Sequence, residues 1–143
     1  MSIEGISHVT FIVRDLERMA RFLCDGLGAV EVYDSGDKVF SVSREKFFVL
    51  DGVWLAAMEG TPPVERSCSH VAFKVSEADL PEYEQRLRDL GVEIATPRPR
   101  VEGEGASLCF YDFDNHLFEL HTGVLEQRLE RYQGDVSGYD CAQ

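Results

Sequence analysis

The sequence repeats itself, and that repetition limits the folds open to it. Ile6-Ser7-His8-Val9-Thr10-Phe11-Ile12-Val13 aligns with Cys68-Ser69-His70-Val71-Ala72-Phe73-Lys74-Val75. Both segments alternate as strands do, with Val9, Phe11 and Val13 on one face, matched by Val71, Phe73 and Val75. A helix follows each. Asp15 can cap the first, whose apolar stripe is Leu16, Met19, Ala20 and Leu23. The second starts near Asp79, with Pro81 in its first turn and Leu80, Tyr83, Leu87 and Leu90 on one face. Both helices end at Leu-Gly, Leu27-Gly28 and Leu90-Gly91, where glycine suits a left-handed terminus. Three short strand candidates follow each turn. In the first unit they lie near Val30 to Tyr33, Val39 to Val42 and Val53 to Met58; in the second, near Glu93 to Ala95, Ser107 to Tyr111 and Leu117 to His121.

The pattern is βαβββ twice, an α+β chain in a single domain spanning 1–143. Module one covers 4–60, module two 66–123 and a helical tail 124–143, with the modules joined around Gly60-Thr61-Pro62-Pro63. The repeat argues against a single Rossmann-like sheet and against a helical bundle. In the tail, Leu125, Leu129 and Tyr132 fit one amphipathic helix, and the last several residues are expected to be loose.

The formal charge of −12 makes a surface that repels polyphosphate backbones, so nucleic acid is not an expected partner. No apolar run approaches a membrane span, and Met1-Ser2-Ile3-Glu4-Gly5 lacks the basic and apolar regions of a signal peptide. A cytoplasmic location and no membrane partner are expected. Cys24, Cys68, Cys109 and Cys141 form no C-x-x-C pair, which leaves a zinc ribbon or redox motif unsupported. Phosphate-binding glycine loops, H-E-x-x-H and G-x-S-x-G are also missing. Asp112-Phe113-Asp114-Asn115 resembles the start of a calcium loop but lacks its glycine, and a hairpin turn is the better reading.

Period-two geometry turns His8 and Thr10 away from Val9 and Phe11, and His70 away from Val71 and Phe73. If one face of each sheet packs the core, the histidine face lines a concavity. Aligning the last strands sets Glu119 opposite Ala56, so two pseudo-symmetric modules would present His8, His70 and Glu119. Two imidazoles and a carboxylate suit a first-row divalent metal used as a Lewis acid. For each histidine the ordinary alternative is a hydrogen-bonded structural residue. His121 shares the face of Glu119 and is a competing ligand, whereas His116 sits at a turn.

The paired Ser-His-Val strands, the Phe118-Glu119-Leu120-His121 ending and the duplicated βαβββ units resemble the vicinal-oxygen-chelate superfamily of glyoxalases, extradiol dioxygenases and fosfomycin-resistance proteins. Within it the sequence is most similar to fosfomycin epoxide hydrolases of the FosX type. Phe11 to Met19, Ser43 to Phe48, Pro97 to Gly105 and Asp114 to Gly123 carry that likeness, which runs from Ile3 to about Arg131. The resemblance implies a cupped mixed sheet around a metal site, with modules paired across a homodimer. It also implies that His8, His70 and Glu119 hold Mn(II) or another divalent metal, and that the substrate is a small epoxide phosphonate.

By the same resemblance Glu45, in Ser43-Arg44-Glu45-Lys46, is the general base that activates water; without it, this stretch reads as a charged turn. Thr10, Trp54, Ser107 and Arg128 match substrate-binding positions of the related transferases. Arg98 and Arg100, on a Pro- and Gly-rich loop, are further candidates to bind the phosphonate. Cys109 stands where the related enzymes usually carry a tyrosine, so one hydroxyl is missing there. The alternatives are a metal-dependent thiol transferase acting on the same epoxide and a metal-free antibiotic-binding protein of the bleomycin-resistance type. Transferase relatives lack a carboxylate at the position of Glu45, and binding proteins lack the three metal ligands.

Overall fold

The structure, a computed structural model, describes residues 1–134. In chain order it contains β1 (His8–Val13), α1 (Leu16–Arg21), a π-helical turn (Phe22–Gly26), β2 (Val30–Asp34), β3 (Glu45–Leu50) and β4 (Val53–Glu59). The second half repeats this with β5 (His70–Lys74), α2 (Leu80–Asp89), β6 (Glu93–Ile94), β7 (Ser107–Tyr111) and β8 (Leu117–His121), and α3 (Leu125–Gly134) closes it. Two four-stranded sheets result, ordered β1-β4-β3-β2 and β5-β8-β7-β6. In each, the first strand runs parallel to the last and the remaining neighbours are antiparallel. Each sheet is thus a βαβββ unit, as the repeat predicts. The Asp15 carboxylate caps α1 by accepting from the Arg18 amide at 2.9 Å. Gly28 and Gly91 follow the helices at φ +79° and +75°.

The two modules share one core. Phe11 and Val13 of β1, Leu55 and Ala57 of β4, and Phe48 of β3 are buried on one face of the first sheet. Leu108 and Phe110 of β7 and Phe118 and Leu120 of β8 supply the second sheet's half of the same cluster. Phe118 lies 5.0 Å from both Phe11 and Phe22, centroid to centroid, so aromatic contact crosses between the modules. Gly26 lets α2 come close, since a Cβ there would stand 3.2 Å from Leu87 and Leu90 side chains. Each large side chain enclosed this way contributes roughly 1.5–3 kcal/mol.

One strand differs from expectation. The segment around Val39 to Val42 is an irregular loop, and the central strand starts later, at Glu45. Val39, Phe40 and Val42 are more than half exposed and have no ladder partner, whereas Phe48 is fully enclosed. The charges that make Arg44-Glu45-Lys46 resemble a turn are absorbed by pairing. The Lys46 ammonium lies 2.8 Å from Asp34, 2.9 Å from Glu17 and 3.2 Å from Glu31. Burial alone would push Lys46 down; the hydrogen bonds it donates to Asp34, Glu17 and Glu31 hold it well above the ordinary lysine value.

α3 is anchored by a buried carboxylate. Glu104 accepts hydrogen bonds from the Tyr132 hydroxyl, from Arg98 at 3.1 and 3.3 Å, and from the Val101 amide at 3.1 Å. The expected loose terminus lies outside the described residues. Among those described, no helix is long and apolar enough to cross a membrane.

The Tyr132 hydroxyl and then Arg98 hold the Glu104 carboxyl down to about 2, against an ordinary 4.5. A depressed pKa contributes stability that is present above the ordinary value and lost as pH falls through the folded one. We therefore expect the melting temperature to fall between pH 4.5 and about 2, with protection of α3 amides from exchange lost in the same window. In Glu104→Gln the neutral-pH stability should be lower and this acid component much reduced; an unchanged acid profile would assign it to other carboxylates.

Candidate metal and anion site

Ladder register sorts the side chains of the second sheet. His70 of β5 stands beside Leu117, and Ala72 beside Glu119, while β7 sets Ser107 against His121 and Cys109 against Glu119. The face opposite the core therefore carries His70, Glu119, His121, Ser107 and Cys109. The His70 Nε2 is 3.1 Å from Glu119 Oε2. On the far side of the ring, Nδ1 lies 2.7 Å from the Cys68 carbonyl oxygen. A carbonyl only accepts, so Nδ1 carries the proton and a neutral ring turns its Nε2 lone pair towards the carboxylate. Two acceptors in that position call for a cation between them or a proton on the ring. This nitrogen and oxygen donor set fits a divalent metal.

The other carboxylate oxygen is already occupied. Glu119 Oε1 accepts a hydrogen bond from Ser107 and another from Arg100 Nη2 at 3.3 Å. Burial pushes the Glu119 carboxyl up, but the Ser107 bond and the charges of His121, His70 and Arg100 bring it below the ordinary range. Glu119 is thus an anion with one oxygen, Oε2, left for a ligand. His121 is shifted down, chiefly by burial and secondly by the cations Arg128 and Arg100, against Glu119 and the Ala106 carbonyl. Burial, and then the charge of Glu119, push the Cys109 thiol up, which keeps it neutral.

The first sheet carries a matching face. Thr10 pairs with Ala56 as Ala72 pairs with Glu119, so the structure sets Ala56 at the position equivalent to Glu119. Glu45 pairs with Met58 as Ser107 pairs with His121, which makes Glu45 the counterpart of Ser107. Glu45 is only 8% exposed. Its carboxylate accepts from the Ser41 hydroxyl at 3.2 Å, and its amide donates to the Ser35 hydroxyl at 3.0 Å. Trp54 lies against the His8 ring at 4.3 Å and meets Phe47 edge-on at 5.1 Å. His8, Thr10, Glu45 and Trp54 therefore share one side of the first sheet. Sequence reasoning missed Ser35 and Ser41, which lie in loop and turn stretches where no periodicity marks them.

The two faces stay apart within the chain. Among the described residues no group of three or more His, Cys, Asp and Glu side chains stands ready to hold a metal. His70 meets Glu119; His8 does not join them. Arg100 reaches Glu119, and Arg128 reaches His121 at 3.4 Å. Arg98 is engaged by Glu104 and by the Pro99 carbonyl. Asp112 accepts from the amides of Asp114 and His116 and meets the His116 ring at 2.7–2.9 Å, the bonding of a hairpin turn. Cys24, Cys68 and Cys109 are free thiols.

A family model described as the Glyoxalase/Bleomycin resistance protein/Dioxygenase superfamily matches residues 5–120. The chain is 54% identical over 141 residues to a fosfomycin resistance protein FosX of Mesorhizobium japonicum, covering 99% of each. It is 37% identical over 135 residues to a metallothiol transferase FosB of Bacillus licheniformis, covering 92% of this chain and 83% of that protein. Among solved structures, a glutamate-to-glutamine mutant of FosX from Listeria monocytogenes matches with a TM-score of 0.84 and 50% identity. That match covers 92% of this chain and 99% of the other, which is complexed with Mn(II) and 1S,2S-dihydroxypropylphosphonic acid.

If Oε2 of Glu119 and Nε2 of His70 face a metal, Glu119→Ala and His70→Ala should each weaken Mn(II) binding by at least 10²-fold. Free Mn(II) followed by electron paramagnetic resonance measures this directly. His8→Ala should do the same although His8 lies on the other sheet, and circular dichroism should remain that of the folded protein. Wild-type affinity in any one of these variants would remove that residue from the ligand set.

Proposed function

The chain belongs to the glyoxalase/bleomycin resistance protein/dioxygenase superfamily, and from that premise we propose that it is a Mn(II)-dependent hydrolase adding water to the epoxide of fosfomycin. Similarity to FosX along nearly the whole chain supports the activity, as does the Mn(II)–diol phosphonate complex of a relative. The observation that carries hydrolysis over thiol transfer is Glu45, a nearly enclosed carboxylate on the same sheet face as His8.

His8, His70 and Glu119 would hold the metal. When bound, it supplies a Lewis acid that takes up negative charge as the oxirane opens. The chain's own groups do the rest. Glu45, held by Ser41, accepts a proton from water while the water oxygen bonds to an oxirane carbon. The ring carbon–oxygen bond breaks, its oxygen takes a proton from solvent, Glu45 returns the proton it accepted to solvent, and a vicinal diol results. Arg100 and Arg128 give the phosphonate local positive charge against a surface of net −12, and Ser107 and Thr10 offer hydroxyls. Trp54 walls the first half-site beside His8. Arg98 acts one step back, bracing through Glu104 the loop that carries Arg100.

Both half-sites are needed, so the active form we propose is a cytoplasmic homodimer. Module one (4–60) of one chain meets module two (66–123) of the other. Exposed apolar side chains around the first half-site, among them Val39, Phe40, Val42 and Val49, support such a cover.

Glu45→Gln keeps shape but removes the base, and hydration followed by phosphorus NMR should fall by about 10²-fold or more with Mn(II) still bound. Added thiol should give proportionally more adduct, because a thiolate forms more readily than hydroxide at neutral pH. Unchanged hydration would return Glu45 to a structural role. Mixing inactive His8→Ala with inactive Glu119→Ala after subunit exchange should restore activity, since each mixed dimer holds one intact site. Exchange without recovery would favour sites built within a single chain.

A further inference from the structure

The ladder makes a grid of the first sheet's outer face. His8, Trp54 and Val49 stand side by side in one row, Thr10, Ala56, Phe47 and Tyr33 in the next, and Ile12, Met58 and Glu45 in the third. Ala56 is the middle of that grid, one strand and one row away from both His8 and Glu45. A ligand that reaches from His8 to Glu45 therefore crosses Ala56 and passes beside Trp54 and Phe47.

Aromatic rings line this crossing. Trp54 lies 4.3 Å from the His8 ring and 5.1 Å from Phe47, and Phe47 lies 5.0 Å from Tyr33, centroid to centroid. Ala56 is 3% exposed, whereas Trp54 keeps 36% of its surface open and Phe47 and Tyr33 are half-buried. Tyr33 joins the row through an irregularity. Strict alternation would put it on the side of Glu31, which reaches inward to Lys46 at 3.2 Å. The β2–β3 register shifts between Glu31 and Tyr33, which turns Tyr33 outward against Phe47 and returns Asp34 to Lys46 at 2.8 Å.

We infer that Trp54, Phe47 and Tyr33 form a subsite for a flat apolar group, such as an aryl substituent, carried by the phosphonate ligand beside its reacting carbon. This deepens the proposed hydrolase reading and rests on it for where the ligand lies. A methyl group covers a small part of one ring, and the row runs two strands beyond Trp54. An aryl group gains offset or edge-on contact with successive rings. A second copy of the chain seated on these rings would block the path from His8 to Glu45, so the occupant that fits is the ligand.

Trp54 is the single tryptophan, so its fluorescence reports on the subsite. The full chain loaded with Mn(II) is titrated with methylphosphonate and with benzylphosphonate, affinity being read by calorimetry and contact by Trp54 emission. Benzylphosphonate should bind tighter by about tenfold, the scale of a well-placed aromatic contact with its burial, and should shift the emission more. Phe47→Leu and Tyr33→Leu keep apolar bulk and remove a ring. Each should cut the preference to about threefold or less, with a smaller effect on methylphosphonate. A 3-phenyloxirane phosphonate should be hydrated with kcat/KM at least equal to that for fosfomycin. Equal affinity for the two phosphonates overturns the subsite, as does a preference that survives both leucine variants. So does loss of the dimer in those variants, by sedimentation, with no benzyl preference in the wild type, which would make the row a contact between copies. If neither epoxide is hydrated the hydrolase reading falls, and the benzyl preference and its loss in the leucine variants still decide the subsite.

Discussion

Everything in this molecule follows from one shared core between two twofold-patterned sheets. Strand side chains alternate, so a sheet that buries one face must present the other. Phe11, Phe22, Phe110 and Phe118 commit the inner faces of both sheets, and the helical turn between them, to the same apolar cluster. The residues left on the outer faces are the chemical ones: His8, Thr10 and Glu45 on the first, His70, Glu119 and Ser107 on the second. The contact that joins the modules thereby keeps their reactive faces from meeting inside one chain. A site assembled from both faces would need a second copy for a packing reason, and in the proposed homodimer the pseudo-symmetry of the repeat would supply complementary halves.

The same alternation explains how Glu45, the proposed base, can sit beside a buried lysine. Glu45 and Lys46 are neighbours in β3 and point to opposite sides. Lys46 enters the packed side, where an unpaired ammonium would be costly, and Glu17, Glu31 and Asp34 surround it. With Lys46 fixed there, Glu45 has only the outer face to occupy. It keeps its charge free of that cluster and takes a hydroxyl partner in Ser41. A carboxylate held by a neutral donor stays available to accept a proton, whereas one paired to Lys46 would be a poorer base.

The duplicated strands, the helix caps and the equivalence of Ala56 with Glu119 were legible in the sequence because they depend on local periodicity. β3 was not. Its core residue Phe48 lies just after three charges, and only distant carboxylates on α1 and β2 let one of them, Lys46, be buried. The position of His121 was visible, since it shares the face of Glu119, but its partners were not. Ser107 lies on another strand and Arg128 on α3, and the fold alone brings them to its two nitrogens. Likewise nothing local distinguishes Arg98 from Arg100 in Pro97-Arg98-Pro99-Arg100. Their different partners, Glu104 and Glu119, appear once the loop is folded.

That division of labour between two arginines also answers the problem set by the acidic surface. If a chain of net charge −12 takes the proposed phosphonate, it does so against its own field. Cations left in water would be screened and mobile. Here Glu104, almost fully buried, binds Arg98, the Val101 amide and the Tyr132 hydroxyl, so one carboxylate pins both the loop of Arg100 and the helix of Arg128. Arg100 is then four-fifths enclosed beside Glu119. A guanidinium held this way brings its charge to the site already oriented, and less ordering is left to oppose ligand binding. One buried acid thus fixes the elements that carry both arginines of the proposed anion site.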